Sequence, residues 1–304
     1  MSPPGVASVP KAMPPATAGR HAMAPAGRGR YPAGMRPRAI LLNTERVEAW
    51  PGGLLRARGN HDARSIAGAD HVLRRKRDGA YLAVERDGTL QPLRPAFAKE
   101  AGVADAMAAI AAAGVPRRAG IDAVPALPLA RLQQRLDALG LDAGAYAART
   151  GLALVPEPAW LALAGFDRYA RPLWLRADAA LAWTAMQADA LRDGIVLEAI
   201  SGYRSHDYQL GIFERKLARG LSVEEILTVN AAPGYSEHHG GTALDIGFPG
   251  EPPAEGTFEA TPAFAWLQAN AAGHGYALSY PRGNPHGIAY EPWHWAYQKG
   301  DGGS

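Results

Sequence analysis

Cysteine is absent from the 304-residue chain. That excludes disulfide staples and thiolate metal sites, and leaves histidine and carboxylate as the metal-binding chemistry on offer. Long apolar runs are missing too: no stretch of about 18 apolar residues could span a bilayer, and none has the apolar core of a secretory signal. Acidic residues do not occur before Glu45. Residues 1–38 hold eight prolines and six Lys/Arg, so this tail has little to bury and is expected to be disordered. Beyond it, 26 basic residues face 29 acidic ones. The sequence pI of 9.1 therefore belongs to the tail, and the body offers no basic face for nucleic acid.

The remaining length accommodates two modest cores. In residues 39–150, His71 to Glu85 reads as two short strands around the Asp78-Gly79 turn, and Ala101–Ala113 and Leu129–Leu139 read as helices. The four bases Arg74 to Arg77 are expected to blunt a solvated strand edge. This stretch is expected to form a small accessory module of unknown role, with the chemistry in residues 151–304.

That chemistry is concentrated in two blocks. One reads Ser236-Glu-His238-His-Gly-Gly241-Thr-Ala243-Leu-Asp245, and 46 residues after Asp245 the other begins, Glu291-Pro-Trp-His294-Trp. Hydrolytic zinc takes three protein ligands from His and Asp/Glu and leaves a position for water. His238, Asp245 and His294 supply that ligand set, and Glu291 is a spare carboxylate suited to a base. Leu244, Ile246 and Phe248 alternate with Asp245, which puts Asp245 on the face away from the bulky residues. The same alternation separates His294 from Trp293 and Trp295. Pro292 cannot join a ladder, so Glu291 is a loop-end residue. Two histidines four apart on a helix with Glu between them do not occur, which excludes the common helical metalloprotease.

A third block, Ser201-Gly-Tyr-Arg204-Ser-His-Asp-Tyr-Gln209, follows a strand read at Val196–Ile200. Ser205 is the expected N-cap of a helix with Leu210, Phe213 and Leu217 on its apolar stripe, ending at Gly220. Arg204 then sits at a helix N-terminus, where a guanidinium adds a two-pronged fork for an anion. A helix at about 177–193 precedes this block, and Ser222 to Glu225 is a capping box. Elements in this order favour an α+β domain, an antiparallel sheet with the zinc site on one face and helices on the other. His239 is expected to point away from His238, either supporting the site from behind or solvated; His206, in the first turn of its helix, has the cleft within reach, and His286 is expected at the rim.

Together the three blocks resemble the VanY-type D-alanyl-D-alanine carboxypeptidase family of zinc peptidases, over residues 152–298. The resemblance implies one zinc ion and removal of the C-terminal D-amino acid from peptidoglycan stem peptides. It also implies that Arg204, Gln209 and Ser236 hold the terminal carboxylate and that Tyr280, before Pro281, lines the pocket. L,D-carboxypeptidase and D-Ala-D-Ala dipeptidase activities stay open alternatives, as does a non-hydrolysing, zinc-stabilised peptidoglycan-binding module. A binding module has no use for Glu291, which weighs toward catalysis. The substrate class places the protein in the cell envelope, with the cytoplasm as the alternative.

Overall fold

The computed structural model describes residues 39–55, 60–113, 124–227 and 231–298; the expectation for residues 1–38 lies outside them. The strands are β1 (Ile40–Asn43), β2 (Val47–Pro51), β3 (His71–Arg75), β4 (Tyr81–Arg86), β5 (Thr89–Pro92), β6 (Trp160–Phe166), β7 (Pro172–Leu175), β8 (Glu198–Ser201), β9 (Ala243–Gly247), β10 (Tyr276–Leu278) and β11 (His294–Tyr297). The α-helices are α1 (Asn60–Ala67), α2 (Val103–Ala113), α3 (Ala130–Ala138), α4 (Ala143–Thr150), α5 (Ala177–Arg192), α6 (His206–Leu217), α7 (Val223–Leu227) and α8 (Pro262–Asn270). Local chemistry sets their ends. Ser205, Asp142 and Thr261 cap α6, α4 and α8 by accepting from Tyr208, Ala145 and Phe264 amides. Ser222 and Glu225 bond reciprocally to open α7.

Among the described residues the strand pairings are all antiparallel, in two sheets. The first runs β5-β4-β3-β2-β1-β6-β7 and the second β10-β11-β9-β8. The second carries the candidate site. On its inner face Leu244, Ile246 and Trp295 pack with Trp183 and Met186 of α5 and with Phe264 and Leu267 of α8. Asp245 and His294 are direct cross-strand partners, so their side chains rise from the opposite face. The α+β arrangement, metal residues on one face and helices on the other, is thus realised.

The boundary expected near residue 150 runs through one compact unit, Arg38–Ser304. β1, from the stretch expected to be an accessory module, pairs with β6. Likewise α3 and α4 close a core with α6 and α7 through Leu132, Leu136, Tyr146, Leu210, Phe213 and Ile226. The basic run also departs from expectation. β3 lies between β2 and β4, so it has no open edge to protect. Arg74 pairs with Glu48 at 2.8 Å and covers the Trp50 ring, Arg75 bonds Asp78 and Glu100, and Lys76 is buried against Glu157. Of the four, Arg77 is exposed.

Candidate metal centre

The block from Ser236 to Asp245 folds as a 3-10 turn, Glu237–Gly240, then Gly241 in the left-handed region at φ 69°, then β9. Gly241 has no substitute at this turn: a Cβ there would lie 2.5 Å from Leu161 Cδ2. The turn brings His238 back over Asp245, and β11 brings His294 alongside. One oxygen, Asp245 Oδ1, lies 3.2 Å from both His238 Nε2 and His294 Nδ1. The three donor atoms all lie within 4.8 Å of one another.

The outer nitrogens are already used. His238 Nδ1 donates to the Gly202 carbonyl at 2.7 Å, and His294 Nε2 donates to Glu237 Oε2 at 2.8 Å. Each histidine therefore turns its other nitrogen, an acceptor in the neutral ring, toward a carboxylate oxygen. Acceptors facing one another at this distance need a cation or a proton between them. Burial, then Arg204, lowers the His238 pKa to about 4, which leaves its ring neutral. At His294 burial is outweighed by Asp245 and Glu237, and the pKa rises to about 9. Burial acts to raise Asp245 as well, but His238 and Arg204 hold it well below the carboxylate range. Two imidazoles and a carboxylate, each oriented by a second partner, are a donor set that fits zinc.

Glu291 lies at the loop end expected for it, with Oε2 3.9 Å from His294 Nδ1. Burial pushes its carboxyl above the ordinary value against the pull of His294. Its amide donates to the Tyr280 carbonyl, and the Tyr280 ring is buried 4.8 Å from that of His294. Arg204 Nη2 donates to Asp245 Oδ2 at 3.2 Å while its Nε is buried without a partner. Ser236 is buried at the head of the turn, and its hydroxyl makes no capping bond. The structure gathers Arg204, Glu291 and Tyr280 around the three donors. Gln209 is different: it is buried on α6 and its amide nitrogen donates to the Ala231 carbonyl at 3.2 Å.

One feature was not anticipated. Glu237 is the partner that orients His294, and its signal was its place beside His238 in a metal block. His239 is fully buried, supporting the site from behind, which is one of its two expected places; its Nδ1 donates to the Arg204 carbonyl at 2.7 Å and its Nε2 accepts from the Gly234 amide. His206 is likewise buried. His286 bonds the Thr150 carbonyl beside Tyr280, at the rim.

Comparison with known proteins places these residues in context. The family profile described as VanY: D-alanyl-D-alanine carboxypeptidase matches residues 172–300. The putative carboxypeptidase YodJ of Bacillus subtilis is 34% identical over 141 residues, which cover 43% of this chain and 49% of that protein. The bifunctional D-Ala-D-Ala dipeptidase and D-Ala-D-Ala carboxypeptidase VanXYC of Enterococcus gallinarum is 30% identical over 148 residues, 46% of this chain and 75% of the relative. A solved structure of a mutant VanB-type D,D-pentapeptidase VanY in complex with Zn(II) is 27% identical, with a TM-score of 0.35 and coverage of 41% of this chain and 73% of that one. The chain spans about half the length of the Bacillus relative. With the profile and three quarters of VanXYC matched over the part that carries all three blocks, the chain belongs to the VanY D-alanyl-D-alanine carboxypeptidase family.

Proposed function

We propose that this protein is a zinc-dependent D-alanyl-D-alanine carboxypeptidase that removes the C-terminal D-amino acid from peptidoglycan stem peptides. The observation that carries the reading is the convergence of His238 Nε2, Asp245 Oδ1 and His294 Nδ1 within 4.8 Å, with a half-buried carboxylate, Glu291, 3.9 Å from His294 Nδ1. His238, Asp245 and His294 hold one ion. Bound there, zinc supplies Lewis-acid polarisation of a carbonyl and lowers the pKa of water. Glu291 takes the proton from the attacking water at its carboxylate and returns it to the leaving amine, and its raised pKa suits it to both tasks. Arg204, with Ser236 at the turn, binds the terminal carboxylate and fixes the scissile bond relative to Glu291; the partnerless Arg204 Nε supports a role toward substrate. Gln209 completes that grip only by giving up its bond to Ala231. Tyr280 lines the pocket and excludes water beside His294. This substrate class assigns the protein to the cell envelope.

The test is to incubate zinc-loaded protein with defined tetra- and pentapeptide muropeptides and read the products by mass. Loss of one alanine from the pentapeptide supports D,D-carboxypeptidase action. Cleavage of the tetrapeptide alone redirects the reading to L,D-specificity, and no cleavage of either refutes it.

A further inference from the structure

Two residues close to Arg204 in the same turn, Tyr203 and His206, grip one carboxylate, that of Glu157. The Tyr203 hydroxyl donates to Glu157 Oε2 at 2.5 Å, and the His206 amide donates to Glu157 Oε1 at 2.7 Å, with His206 Nδ1 at 3.2 Å from that oxygen. Asn43 Nδ2, at 3.1 Å, and Lys76 Nζ close around Oε2. Glu157 is 3% exposed and the Lys76 side chain is fully buried. The turn is held at a further point, where Asp207 takes both guanidinium nitrogens of Arg131 at 2.7 and 3.0 Å. Tyr203, His206 and Asp207 are thus all fixed by groups from residues 43 to 157. Arg204 alone among these neighbours sends its side chain the other way, toward Asp245.

Its backbone is fixed as well. The Arg204 amide donates to the His238 carbonyl at 3.2 Å, and its carbonyl accepts from His239. The His239 ring in turn meets the His206 ring edge-on at 4.5 Å. Stability alone does not call for such a cluster. An ion pair taken out of water costs much of what its attraction returns, and a well-packed apolar replacement is often as stable. What directional bonds to a buried carboxylate supply is position, and a bidentate grip on a small anion is sensitive to displacements below an ångström.

We propose that Glu157 and Lys76 form a positioning device for Arg204: the N-terminal strands, through Lys76 and Asn43, fix the turn from Tyr203 to Asp207 so that the guanidinium meets the substrate's terminal carboxylate. The proposal rests on the reading of Arg204 as the carboxylate anchor. It assigns a function to residues 39–150 that requires no separate ligand.

The experiment compares full-length, zinc-loaded wild type with Glu157→Gln and Tyr203→Phe on a stem pentapeptide ending in D-Ala-D-Ala, as the free acid and as its C-terminal amide. Wild type should favour the acid in kcat/KM by about 10-fold or more, since the amide removes one partner of a charged hydrogen-bonded pair. A wild type with no such preference overturns the anchor reading itself. Given the preference, both variants should raise KM for the acid more than they lower kcat, reducing the acid-to-amide ratio about 5-fold or more while amide turnover and zinc content hold. A merely structural role would depress both substrates together. Tyr203→Phe removes only a hydroxyl and keeps the test available where Glu157→Gln does not fold. A folded, zinc-loaded Tyr203→Phe protein with the wild-type ratio overturns the proposal.

Discussion

Besides Asp245, two carboxylates flank His294, and their environments drive them apart. Burial raises Glu291, whereas at Glu237 the hydrogen bond and charge of His294 overcome burial and lower it. Groups separated in this way divide the labour of a site: the raised one exchanges protons and the lowered one stays charged to orient its neighbour. Glu291→Gln should therefore keep zinc and lose turnover by about 10²-fold or more. Glu237→Gln should do the reverse, weakening zinc by about 10- to 100-fold in chelator competition while turnover recovers at saturating metal. Glu291 was legible because Pro292 breaks the strand in front of His294. Glu237 was not, because an extended turn would send neighbours of His238 outward. The turn is a 3-10 helix, which folds Glu237 back onto a histidine 57 residues away.

At the level of elements, what could be read was whatever leaves a local trace: the cap at Ser205, the capping box at Ser222, and alternation in β9 and β11. Register across long loops leaves none, so the pairing of Asp245 with His294 had to be seen. The basic run from Arg74 to Arg77 misled for the same reason, since nothing in its composition says that β3 has neighbours on both sides. The turn into β9 offers a direct test. Gly241→Ala would set a side chain at φ 69° and drive its Cβ within 2.5 Å of Leu161 and 3.1 Å of the Arg176 amide. The backbone cannot yield there, because Arg176 N donates to the Gly241 carbonyl at 2.8 Å. The variant should lose about 1–3 kcal/mol in urea unfolding. Zinc should bind less tightly as well, since the same turn carries His238.

For the whole molecule, the decisive joints are remote in sequence. β1 meets β6 about 120 residues on, and Lys76 meets Glu157 at a separation of 81. Neither partner signals the other, which is why the part beyond residue 38 reads as two modules and yet falls within one compact unit, Arg38–Ser304. The same joint governs behaviour in acid. Glu157 is pulled far below its ordinary carboxylate value by Lys76, His206 and Tyr203 in spite of burial. A carboxyl depressed in the folded state contributes stability that is complete above its unfolded value, near 4.5, and is lost as the pH falls toward the folded one, because the unfolded chain takes up the proton first. Buried His238 and His239, both lowered chiefly by burial, act in the same direction below about 6.5. Acid should therefore destabilise the protein in two stages, the histidines first and the depressed carboxylates Glu157, Asp245 and Glu237 after. The double variant Lys76→Met with Glu157→Gln removes Glu157's share of the second stage without stranding a charge. Between about pH 4.5 and 3 its unfolding free energy should fall less steeply than that of wild type, by up to about 1.4 kcal/mol per pH unit, the value of one linked proton. Urea titrations across that window decide it: parallel slopes for the two proteins would mean that Glu157 does not carry the acid limb.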